Sequence, residues 1–138
     1  MDPKLDLQDS SSKETFFAHI FSAAFLQLDQ IRHEHNSVLT SDRMMNQKLE
    51  YIAGVLKQLS ASDEAVPGSL AELIAVQISK TSRYAKDMAE EEQRIVAESH
   101  NEADGNEEEE AAEYFEMSDQ LDYCAKTLRR NLYHLAHM

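Results

Sequence analysis

The chain is poor in the residues that punctuate a fold, with only three Gly and two Pro among 138 residues. A β-sandwich or barrel needs a turn about every 8–12 residues, and Gly and Pro usually supply it. Their scarcity disfavours an all-β architecture and favours a few long helices. A single cysteine, Cys124, excludes an intramolecular disulfide and fits a reducing compartment. No run of about 18 apolar residues occurs, so no membrane-spanning helix is expected. The opening MDPKLDLQDSSSKE lacks a basic segment followed by an apolar core, so no secretory signal is expected and the localisation reads as cytoplasmic or nuclear. Basic residues are also few: 13 Lys and Arg stand against 26 Asp and Glu, a net charge of −13. Without a basic patch, direct nucleic-acid binding is disfavoured.

What is present is apolar material for one core, 42% of the chain, in a length suited to one domain. Ala, Leu, Glu, Gln, Lys and Met, all good helix formers, are abundant. A flexible tail is expected over residues 1–12, followed by a single helical domain over 13–138.

Four helices are predicted, over about 13–38, 42–59, 69–99 and 108–136, with an acidic loop near 100–107. Ser11 and Glu14 have capping-box spacing at the first start. Phe16, Phe17, Ile20, Phe21, Ala24, Phe25, Leu28 and Ile31 then cover an arc of roughly 180–200°, wider than a one-sided stripe. Such a helix calls for two apolar neighbours, or one neighbour and a partner chain. Thr40 or Ser41 is the expected cap of the second helix, whose Met45, Leu49, Ile52, Leu56 and Leu59 form a heptad-like seam. Pro67 and Gly68 mark a turn, and Ser69 is suited to cap the third helix. That helix is expected to turn inward Leu70, Leu73, Ile74, Gln77, Ile78, Thr81, Tyr84, Ala85, Met88 and Ile95. The fourth carries a seam of Tyr114, Met117, Leu121, Cys124, Leu128, Leu132 and Leu135. The economical fold is an all-α, up-down antiparallel four-helix bundle; an elongated helical hairpin with coiled-coil-like seams is the alternative.

The charge is concentrated. Between Asp87 and Asp122 there are 15 acids and one base, Arg94, whereas the remainder is nearly neutral. Glu107, Glu108, Glu109 and Glu110 fall at the start of the fourth helix, where negative charge complements the helix dipole for about 0.3–1 kcal/mol each. Lys126, Arg129, Arg130, His134 and His137 sit toward its other end. The run therefore reads first as a helix charged to suit its own dipole. If the third and fourth helices pair, DMAEEE joins it in one negative tip able to steer a basic protein surface.

Chemistry finds little organisation. Glu113, Glu116 and Asp119, with Asp87 and Glu90, have a spacing similar to the carboxylate pairs of MazG-type all-α nucleotide pyrophosphatases, which hold Mg²⁺. In so acidic a run such spacings also arise by chance. His33 and His35 stand about 200° apart on a helix and cannot face one ion together. A hemerythrin-like centre would join them to His19, His134 or His137, yet the Glu-x-x-His of di-iron bundles does not occur. Cys124 falls on a seam and reads as a buried structural thiol. Accordingly no catalytic residue, metal or cofactor is assigned. The expected function is a non-enzymatic protein–protein interaction module: an adaptor, chaperone-like partner or small complex subunit. It would bind a protein partner or form a homo-oligomer by helix packing, through Phe17, Phe21, Phe25 and the tip Glu107–Glu110. The alternative is a metal-dependent all-α enzyme or a metal-binding bundle.

Overall fold

The computed structural model describes residues 10–61, 68–99 and 105–136. These are almost wholly helical, with no strand among them: α1 (Ser10–Glu34), α2 (Asn36–Ser41), α3 (Arg43–Ser60), α4 (Gly68–Ser99) and α5 (Gly105–Ala136). No described helix is long and apolar enough to cross a membrane. The side chains of the Ser11–Glu14 capping box, most of the expected tail, Pro67 and the segment 100–104 lie outside the described residues.

The expected first helix is divided. His35 leaves helical geometry at φ −111°, ψ 27°, and α2 follows as a short turn. Backbone bonds still bridge the break, from His35 N–H to the Ile31 carbonyl (3.1 Å) and from Leu39 N–H to that of His35 (3.0 Å). No Gly or Pro marks this point. The bend instead accompanies burial of His35, Val38 and Leu39. The cap of α3 is Asp42, whose side chain accepts from Met45 N–H at 3.0 Å. Thr40 and Ser41, the expected caps, are used otherwise: their hydroxyls donate to the Asn36 and Val38 carbonyls, at 2.7 and 2.9 Å. Ser69, expected to cap α4, lies inside it, because the helix already starts at Gly68.

α1 packs on both α3 and α5, which accounts for its wide apolar arc. Ile20, Phe21, Ala24, Leu28 and Ile31 are buried, and Phe16, Phe17 and Phe25 pack half-buried at the core's margin. Met45, Leu49, Ile52 and Leu56 of α3 are buried, as are Tyr114, Met117, Leu121, Cys124, Leu128 and Leu135 of α5. Each fully enclosed Leu or Met contributes roughly 1.5–3 kcal/mol through removal from water.

α4 and α5 make the most extensive pairing and run antiparallel. Arg129 reaches Glu72 (3.2 Å) and Ser79 (3.1 Å), while Ser82 donates to the Ser118 carbonyl (2.9 Å), so pairs move in opposite chain directions. The inward face of α4 agrees with the expected one at Ile74, Ile78, Thr81 and Ala85 and differs elsewhere. Ala71, Ala75, Ile78, Ser82, Ala85 and Ala89 are buried, whereas Leu73 is 59% exposed and Leu70 39%. Leu70 and Leu73 lie instead along the groove between α3 and α4. Gln77 is exposed and Thr81 buried, the latter's hydroxyl donating to the Gln77 carbonyl at 2.8 Å.

Candidate functional site

Among the described residues, the polar one most deeply enclosed is His35, 3% exposed at the bend between α1 and α2. Its ring lies between two side chains of α5. Nε2 is 2.8 Å from Gln120 Oε1, and Nδ1 is 3.7 Å from Glu113 Oε2. The second separation is too long for a hydrogen bond. Both Nδ1 and Glu113 Oε2 are buried without a hydrogen-bond partner among the described residues. Gln120 also donates its Nε2 to Glu34 Oε2 (3.0 Å), and Gln30 donates to Glu34 Oε1 (3.0 Å). Those bonds, the Gln120 one first, hold the Glu34 carboxyl below its ordinary pKa. Since the Gln120 amide nitrogen donates to Glu34, its oxygen is left to accept, and His35 Nε2 is the donor. Glu116 completes the group: one ligand atom each of Glu34, His35 and Glu116 lies within 4.8 Å of the others.

A second polar connection lies a turn away. Asp42 caps α3 with one oxygen and accepts from the Tyr114 hydroxyl with the other, at 2.7 Å. Burial first, and this bond second, raise the Tyr114 phenol well above its ordinary pKa. Tyr84 is raised too, by burial and then by the nearby Asp42, and Lys48 Nζ lies 5.6 Å from its ring centre. One carboxylate thus links α3 to α5 and sits beside α4.

The acidic ends of α4 and α5 adjoin. Glu92 is held above the ordinary carboxyl value of 4.5 by burial, then by the charges of Glu110, Glu107 and Glu91. A raised folded-state pKa means that the stabilising balance is present below about pH 4.5 and lost as pH rises through the folded value. Glu92→Gln should therefore raise the melting temperature at pH 7, by an amount equivalent to roughly a few tenths of a kcal/mol for relieved like-charge contacts. Melting curves of both proteins should converge as pH falls below about 4.5, where wild-type Glu92 is itself neutral.

The other residues singled out in the sequence fare unevenly. Phe21, expected to take part in binding, is fully buried in the core. Phe17 stacks on it, ring centres 6.1 Å apart, and lines a cavity of about 740 Å³ with Leu132, Tyr133 and Leu135. Glu108 and Glu109 are exposed, Glu107 and Glu110 partly covered. Cys124 is buried with its thiol pushed up to about 11 by that burial. Among the described residues, the carboxylate–imidazole group does not include Asp87, Glu90 or Asp119, nor His19, His33 or His134. His137 lies outside the described residues. The pairing of His35 and Glu34 with Glu116 was not foreseen, because α1 and α5 are brought together only by the fold. Neither were the exposed Tyr51 and Leu73, which line a groove of about 320 Å³ between α3 and α4 with Val55 and Leu70.

No protein-family model, curated protein or solved structure matches this chain.

Proposed function

We propose that this chain is a non-enzymatic helical interaction module, an intracellular adaptor or small complex subunit. Its long helices form an up-down antiparallel bundle. The reading is carried by the apolar groove between α3 and α4. Tyr51 is 69% exposed and Leu73 59% exposed there, and the two line one groove with Val55 and Leu70. Large side chains held outward on rigid helices are typical anchors for a partner's helix. The acidic ends of α4 and α5 supply the orienting charge. From Leu73 to Glu92 is roughly 28 Å along α4, at the rise of an α-helix. The fitting partner is therefore a long amphipathic helix, apolar where it meets the groove and basic toward the tip. Phe17 and Phe25 add a smaller apolar margin on α1.

Affinity capture from the native source, at low and high salt, tests this. Leu73→Glu should abolish binding of the captured helical partner. Changing Glu107, Glu108, Glu109 and Glu110 to Gln should remove chiefly the salt-sensitive part of the association rate. Capture that neither variant alters would refute the reading.

A further inference from the structure

We infer that His35, Glu34 and Glu116 form a binding site for a single divalent transition-metal ion, with Gln120 positioning the imidazole and Glu113 beside its open nitrogen. This goes beyond the docking reading and does not depend on it.

The first observation is convergence. Glu34 and His35 at the end of α1 and Glu116 in mid-α5 are distant in sequence, yet their ligand atoms lie within 4.8 Å of one another. A cation held between them would replace carboxylate repulsion by attraction. The second observation is independent of the acids. His35 is enclosed at 3% exposure, with Nδ1 unpartnered and directed at an equally unpartnered Glu113 oxygen 3.7 Å away. A buried polar atom without a partner is uncommon and asks for an explanation.

Gln120 and Glu113 stand one at each ring nitrogen. Metal-bound imidazoles almost always give their second nitrogen to a carbonyl or carboxylate, which fixes ring orientation. Here Nε2 gives its hydrogen to the Gln120 oxygen, which leaves Nδ1 as the nitrogen open to an ion. The site is also reachable: an opening of about 320 Å³ beside it is lined by Gln27, Gln30, Glu34, Asp119, Gln120 and Tyr123. One imidazole with carboxylates suits zinc, iron, cobalt or manganese better than magnesium or calcium, which prefer oxygen alone.

The test uses the full chain stripped of metal, with Co²⁺, Zn²⁺ and Mg²⁺ as separate probes. Co²⁺ should bind saturably at a single equivalent and develop visible absorption. Zn²⁺ should compete with it, raise the melting temperature and shift the His35 ring resonances. Mg²⁺ at the same concentration should do none of this. Glu116→Gln and Glu34→Gln alter exposed side chains, so both should keep native helicity. Each should weaken Co²⁺ binding by about tenfold or more, the scale on which even supporting residues of metal sites act. His35→Asn should abolish the absorption; if it fails to fold, the two Gln variants still decide. Absence of saturable Co²⁺ and Zn²⁺ binding overturns the proposal. So does binding that survives Glu116→Gln and Glu34→Gln but is lost when Glu107–Glu110 become Gln, which would place the ion on the acidic tip. A zinc response at His19, His33, His134 or His137 in place of His35 overturns it equally.

Discussion

Phe21→Ala is expected to lower stability by about 3–5 kcal/mol, the range for removing a buried aromatic ring from a packed core. Phe21 is fully enclosed, in the same core as the equally buried Leu28, Leu121 and Met117. Its ring also stacks with Phe17, with an interplanar angle of 17°. Loss of the ring removes both the transfer energy and the contacts around it, and the rigid helices close only part of the void. Urea denaturation followed by circular dichroism measures this, with a lower midpoint and little change in slope. Phe17→Ala should cost much less stability, because Phe17 is only half-buried. Equal losses for the two variants would mean that the helix sits differently on α3 and α5.

Asp42→Ala is the second large expected effect, a loss of about 2–5 kcal/mol. It combines an N-cap, about 0.5–2 kcal/mol, with a charge-assisted bond to a buried hydroxyl, about 1.5–3 kcal/mol. The same carboxylate accepts from Met45 N–H and from Tyr114. Its removal therefore uncaps α3 and strands the phenol of α5 together. Tyr114→Phe should cost less, because no buried acceptor is left inside an apolar pocket. The double variant should show a coupling above about 0.5 kcal/mol, as for residues in one network. An additive cycle would mean that the 2.7 Å contact contributes nothing to stability.

The Tyr114 bond has a pH consequence. Its phenol is raised above the ordinary value of 10, by burial first and then by Asp42. The associated stability is present below about pH 10 and is lost as pH rises toward the folded value. Wild type should therefore lose stability in alkali more steeply than Tyr114→Phe. Part of the loss will persist in that variant, because Tyr84 is raised as well.

The α3 and α5 seams were legible because large apolar residues mark them. Met45, Leu49, Ile52 and Leu56 recur at heptad spacing and are all buried. α4 was harder to read. Ile74, Ile78 and Ala85 mark its inner face, but Ala71, Ala75 and Ala89, which carry little apolar area, share it, while the larger Leu70 and Leu73 stand at an exposed edge. The bend at His35 left no local sign, since neither Gly nor Pro stands there. The acidic tip was half legible. Charge density located it, but the proximity of Glu92 to Glu107 and Glu110 required α4 and α5 to pair.

By itself the sequence determined the helical class, one apolar core and the concentration of negative charge, because composition and local periodicity act within a few turns of chain. Tertiary structure alone decided that Phe21 is core, that Leu73 and Tyr51 face outward, and that Asp42 serves three helices. It alone brought Glu34 and His35 to Glu116. Those outcomes depend on the rotation and register of one helix against another. Closely packed small residues and buried polar contacts set these, between positions that lie far apart in the chain.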